Sequence, residues 1–217
     1  MKEIILDTET TGLSVKDGHR IVEIGCIELD NLVPTKNIFH CYLNPERKVS
    51  EKAFEVHGYS DQFLSDKKKF FEIADEFLNF IKDKKIIIHN AEFDISHLNN
   101  ELSIAGKPDI NKENTIDTLD LARNKFPGSG ISLDALCKRF RIDNSKREKH
   151  TALIDCELLA KVYINLLDQK EPKLNFSNFV DINSVETKNK NISYSKKIVY
   201  PTSEEIEQHK QFLNKDL

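Results

Sequence analysis

The apolar positions of the chain change period along its length, and those changes set out its elements. Residues 2–13 (KEIILDTETTGL) begin as an apolar run and end in two acids, Asp7 and Glu9. Residues 21–29 (IVEIGCIEL) and 37–43 (NIFHCYL) are further runs of strand character, the first interrupted by Glu23 and Glu28. Asn31 and Pro34 suit a hairpin or short loop over 30–36, so an antiparallel meander is expected. The period then lengthens. Residues 51–57 and 61–65 read as short helical turns, and Phe70, Ile73, Ala74, Phe77, Leu78 and Ile81 recur at the spacing of one helix face. Residues 85–89 (KIIIH) are a short continuous apolar run, the mark of a buried parallel strand. There follow a helix over 92–105 stopped by Gly106-Lys107-Pro108, a last strand over 114–117, and short helices over 119–124 and 132–140. The longest helix is expected over 151–168, with Leu153, Leu158, Leu159, Val162 and Leu166 near one face. Strands first, then helices alternating with strands, predict an α/β fold with a mixed sheet of about five strands flanked by helices.

Composition alters this picture near Pro172, where the chain turns rich in Asn, Ser and Lys. Residues 171–198 are read as a flexible linker between a domain over 1–170 and a terminal segment over 199–217. That segment carries a helix over 203–213, with Ser203 as N-cap and Glu204, Glu205 and Glu207 in or near its first turns. Cys26, Cys41, Cys137 and Cys156 are scattered without a CxxC pair, which argues against a zinc knuckle or a disulfide framework. No apolar run approaches the roughly 18 residues that span a bilayer, and the N-terminus has no export signal, so a cytoplasmic protein without membrane association is expected. A net charge of −4 argues against broad coating of nucleic acid and leaves room for a protein that grips a strand end.

The chemistry lies in three acidic positions. In a strand, Asp7 and Glu9 project on one side, and the Thr-Thr-Gly that follows turns the backbone close around whatever they hold. Asp94, in HNAEFD, follows a buried strand and enters a helix, which places it at the crevice where α/β sheets bind ligands. In HTALID, His150 and Asp155 would point about 140° apart inside one helix, so the better arrangement has His150 before the helix, Thr151 as its N-cap and Asp155 in its first turn. Each alone has a bland reading: a solvated strand end, a first-turn charge, a solvated loop histidine. Together, the carboxylates of Asp7, Glu9, Asp94 and Asp155 suit two divalent cations, and in-line displacement at phosphorus with His150 as general base. The chemistry implied is phosphodiester hydrolysis.

DTETTGL, HNAEFD and the H-x4-D of HTALID, in this order and separation, resemble the three motifs of the DEDDh group of 3′-5′ exonucleases, and within it the proofreading subunits of bacterial replicative DNA polymerase. The resemblance covers about residues 1–168 and implies a ribonuclease H-like fold. It also implies that Asp7, Glu9, Asp94 and Asp155 bind the metals, two Mg2+ or Mn2+ ions, and that His150 is the base; Asp7, nearest the centre of its strand, is the candidate to bridge them. AFEVHG at 53–58 resembles a further segment, so that Val56 and His57 line the terminal nucleotide's pocket, the backbone of Thr10 to Gly12 approaches its sugar, and Leu13 wedges against its base. Val56 as core and His57 as a helix cap is the structural alternative. Lys52 stands where the family has a glutamate that contacts the nucleotide.

Lys138, Arg139, Arg141, Lys146, Arg147 and Lys149 form a basic cluster just ahead of His150, a place to seat a phosphate backbone. The expected substrate is a DNA 3′ end, single-stranded or at a frayed primer. The terminal segment resembles the polymerase-docking end of the proofreading subunits, so the polymerase catalytic subunit is an expected partner. A sliding clamp and a small accessory subunit are further candidates, although no clear clamp-binding motif stands in the linker, where Phe176 and Phe179 are weak substitutes. Competing readings are an RNA-trimming or oligonucleotide-degrading member of the same branch, and a non-catalytic polymerase scaffold.

Overall fold

The computed structural model of the chain describes residues 2–145, 147, 149–168 and 201–213. The order is β1 (Lys2–Thr10), β2 (Ile21–Asp30), β3 (Val33–Tyr42), α1 (Glu51–His57), α2 (Asp61–Leu64), α3 (Phe70–Ile81), β4 (Lys85–Ile88), α4 (Ala91–Ile104), β5 (Thr115–Asp117), α5 (Thr118–Lys125), α6 (Leu133–Phe140), α7 (Ala152–Leu166) and α8 (Ser203–Leu213). The five strands form one sheet in the order β3-β2-β1-β4-β5. The first three pair antiparallel, as the meander requires, while β4 runs parallel to both β1 and β5.

The sheet is covered on both faces, and the alternation of its central strands decides what each face meets. Ile4, Leu6, Ile86 and Ile88 pack against α3 and α4, whereas Ile5 and Ile87 pack against α5, α6 and α7. A strand buried on two sides reads as an unbroken apolar run, which is why EIIL and KIII show no polar alternation.

The hairpin expected over 30–36 is present with a shorter turn, and one helix cap is corrected. The connection expected over 30–36 is a two-residue turn: Asn31 and Leu32 both have positive φ (49° and 67°), and Asp30 pairs directly with Val33. Such a turn matches strand twist, but Leu32 is not a residue type that signals it. Pro34 lies within β3 opposite Leu29, on the sheet's edge, where a missing N–H is tolerated. In α8 the cap is Thr202, not Ser203. The Glu205 N–H donates to Thr202 Oγ1 at 3.3 Å, and the Thr202 N–H donates to Glu205 Oε2 at 2.7 Å, a reciprocal capping box. The linker over 171–198, with Phe176 and Phe179, lies outside the described residues. Among the described residues no helix is long and apolar enough to cross a membrane.

Candidate active site

Asp7 and Glu9 stand at the carboxyl end of β1, opposite Gly25 and Glu23 of β2. Just beyond, Thr10 pairs with Ile21, so β2 carries one extra residue and the ladder is irregular there. Bulges of this kind increase local twist and re-aim side chains. Thr8, between the two acids, points to the other face. Its N–H and hydroxyl donate to Asp94 Oδ1 at 3.1 and 2.6 Å, fastening the first turn of α4 to β1. The entry into α4 is set by Asn90, in the left-handed region at φ 69°. The Asp117 carboxylate, at the end of the neighbouring β5, accepts the N–H groups of Asn90 and Ala91 at 3.0 and 2.9 Å.

Asp155 reaches the same place because the start of α7 lies directly on β2. A Cβ at Gly25 would fall 2.6 to 2.8 Å from backbone atoms of Ala152 and Leu153, so only glycine permits the approach. Buried Glu23 fixes it, accepting the Ala152 N–H at 2.9 Å and the Tyr59 hydroxyl at 2.8 Å, with His40 Nε2 at 2.7 Å. Thr151 caps α7, as expected, with its hydroxyl accepting the Ile154 N–H at 3.4 Å. His150 precedes the cap, half-exposed, and its N–H donates to Val56 O at 3.2 Å, tying the loop to α1.

Asp7, Glu9, Asp94, His150 and Asp155 thus line one cavity of about 160 Å³, together with Arg147. Ligand atoms of Glu9, His150 and Asp155 lie within 4.8 Å of one another, a spacing that could hold a cation with hard oxygen donors close by. Burial, reinforced by Asp94, Asp155, Glu9 and Glu23, raises the pKa of Asp7 well above the carboxylate range. Burial and the same acidic neighbours push Glu9 up to about 8. Burial raises Asp94 to about 7 against the hydrogen bonds from Thr8, which favour its charged form. Asp155 goes the other way: burial opposes its charge, but the His150 and Arg147 side chains beside it outweigh that and hold the carboxyl low. A divalent cation is the natural counter-charge for so much crowded acid.

A larger cavity of about 490 Å³ adjoins the first, Thr8, Glu9 and Phe93 lining both. Thr10, Gly12, Leu13, Val56 and His57 all line it, with Lys52 and His19 besides. His57 is buried and stacks on Tyr59, while Leu13 is 82% exposed and Val56 43%, so Val56 is no core residue.

Within the basic cluster Lys138, Arg139, Arg141 and Lys149 are exposed, and Arg147 departs from the expected surface. Arg147 turns inward onto Asp155 and Asp134, Lys149 Nζ donates to Glu55 O at 2.6 Å, and Arg139 lies over the Phe126 ring at 4.4 Å. Lys146 lies outside the described residues. Sequence reasoning missed Thr8, Glu23, Asp117 and the inward Arg147. For Thr8 a signal existed, since a hydroxyl between two same-face acids must face the opposite element.

The exonuclease family model (RNase_T) matches residues 4–163. The DNA polymerase III subunit epsilon of Rickettsia conorii is 50% identical over 223 residues, covering 100% of this chain and 97% of its own. That of Escherichia coli K12 is 50% identical over 171 residues, 75% of this chain and 70% of its own. Among solved structures, exonuclease X in complex with 5′ overhanging duplex DNA is 26% identical with a TM-score of 0.60, covering 77% of this chain and 92% of that one. The nuclease domain of 3′hExo, a DEDDh family member bound to rAMP, has a TM-score of 0.67 at 17% identity, over 78% and 92% of the two chains, a likeness of fold. The chain therefore belongs to the exonuclease family and, within it, to the DNA polymerase III epsilon-subunit group.

Proposed function

We propose that the chain is the proofreading subunit of a replicative DNA polymerase, releasing nucleotides from single-stranded or frayed DNA 3′ ends by hydrolysis of the terminal phosphodiester. The observation that carries this is the convergence of Asp7, Glu9, Asp94, Asp155 and His150 on one cavity beside a nucleotide-sized one, in a chain that matches epsilon subunits along its whole length.

The family is divalent-metal dependent, and the crowded hard oxygen donors fit Mg2+ or Mn2+. Asp7, Glu9, Asp94 and Asp155 would hold two such ions, which when bound neutralise the phosphodiester and acidify the attacking water. His150, on an accessible loop, takes the proton from that water, with Asp155 orienting the ring from Oδ2, 3.4 Å from Nδ1. The Thr10 to Gly12 backbone, Val56 and His57 cradle the last nucleotide, and Leu13 wedges against its base. Residues 1–170 do the chemistry. Residues 199–217, joined through 171–198, dock to the polymerase catalytic subunit in the cytoplasm and raise the enzyme's concentration at the primer end.

The test compares nucleotide release by wild type and Asp7→Ala in Mg2+, from a mispaired DNA primer and from short RNA. Wild type alone should act, and on DNA. Equal release by the two proteins would refute the enzyme reading, and a strong preference for RNA would refute the editing one.

A further inference from the structure

Arg147 occupies the ligand atoms of the site it borders. Its Nε donates to Asp155 Oδ1 at 2.5 Å and one terminal nitrogen to Asp155 Oδ2 at 2.7 Å, so both oxygens of that carboxylate carry a guanidinium proton. The same terminal nitrogen lies 2.8 Å from His150 Nδ1. A guanidinium has donors and no acceptor, so Nδ1 must be the acceptor, and the neutral ring then keeps its proton on Nε2. In this state His150 has no free lone pair with which to take a proton from water. The second terminal nitrogen donates to Asp134 Oδ2 at 2.8 Å, in the first turn of α6, and Asp134 is itself held by Asn144 Nδ2 at 3.0 Å. The side chain is only 8% exposed.

We propose that Arg147 is a latch that a divalent cation must displace. The idea rests on the two-cation reading above. Closed, the latch neutralises Asp155 and disables His150 together. A cation on Asp155 requires the Nε and terminal N–H contacts to open, while the contact to Asp134 can persist as a pivot. Once Arg147 leaves Nδ1, the imidazole proton moves to that nitrogen, where Asp155 Oδ2 already stands 3.4 Å away, and Nε2 becomes the base. Arg147 is thus a positioning residue. It couples metal occupancy to the His150 tautomer, so that the base is armed only when the site is loaded.

Two measurements on the full chain decide this. Calorimetric titration with Mg2+ should show Arg147→Gln binding about tenfold more tightly than wild type, with Arg147→Lys, which keeps the charge but not the fork, in between. Nitrogen NMR of the wild-type His150 ring should report a proton on Nε2 in EDTA and on Nδ1 in saturating Mg2+, and the variant should show no such metal-linked change. If Arg147→Gln binds Mg2+ no more tightly, or if the wild-type tautomer is the same with and without Mg2+, the latch is wrong. Should the variant fail to fold, the wild-type NMR result decides alone. A wild type that takes up no Mg2+ would instead overturn the two-cation reading and the latch with it.

Discussion

Glu9→Gln should make the metal-free protein more stable and the metal-bound protein less so. Glu9 is 9% exposed, and its burial among Asp155, Glu23 and Asp94 pushes its pKa from the ordinary 4.5 to about 8. Below the ordinary value both folded and unfolded chains hold the proton, and Glu9 has no effect on stability. Between about 4.5 and 8 the unfolded chain releases the proton and the folded one keeps it, so each pH unit costs the fold about 1.4 kcal/mol. Near pH 7 this reaches about 3 kcal/mol as an upper bound, and relaxation of the site reduces it to the order of 1–3 kcal/mol. Glutamine has nearly the same shape and no charge to lose. For a domain of this size the gain is a rise of about 3–10 °C in Tm. Thermal melts in EDTA across pH should show it near neutrality and lose it near pH 4.5. In Mn2+ at about 1,000 times its Kd, a bound ion adds about 4.1 kcal/mol to the wild type, more than the variant's gain, which reverses the order. A Glu9→Gln protein that melts no higher than wild type near pH 7 in EDTA, or whose advantage persists unchanged near pH 4.5, would refute this account.

The other predictions concern rate, packing and docking. His150→Ala should lower nucleotide release by about 10²- to 10⁴-fold; retention of the full rate would contradict its role as base. Gly25→Ala forces a methyl group against the Ala152 and Leu153 backbone, so it should cost about 1–3 kcal/mol in denaturant unfolding and, by shifting Asp155, on the order of 10²-fold in rate. Normal activity there would show that the seat of α7 is not tight. Deleting residues 199–217 should abolish copurification with a polymerase subunit while leaving nuclease activity within about twofold, because the binding gain of a tether adds no contact to the site.

How much of this could be read in the sequence depended on whether a side chain's surroundings are local. The faces of β1 followed from period two, and the placement of His150, Thr151 and Asp155 from helix geometry, because both rules act within a few residues. The helix over Phe70–Ile81 came out at its observed bounds for the same reason. Leu32 at positive φ could not be foreseen, since the strands on either side impose its conformation against its own preference. In the sequence Arg147 belongs with five other basic residues to the expected seat of a phosphate backbone. Its direction is fixed by Asp134 and Asp155, carried on separate helices, and no local pattern contains that fact.

Glu23 shows most clearly why acids of one type in one crevice differ in role. It lies opposite Glu9 on the neighbouring strand and is fully buried, so charge and burial alone would place it among the metal ligands. The difference is in its donors. The Ala152 N–H and Tyr59 hydroxyl are committed to Glu23 Oε2, and His40 sits on Oε1, so both oxygens are engaged by groups that belong to α7, the loop after α1, and β3. Losing the His40 contact would leave Oε1 unmet, at a cost of about 1–3 kcal/mol. For Glu9, burial and the neighbouring acids Asp155, Glu23 and Asp94 raise the pKa to about 8. Glu23 therefore serves to hold the start of α7, and with it Asp155, in place, and Glu9 keeps the free carboxylate that the proposed cation would meet. The division follows from where α7 begins, which Gly25 in turn decides.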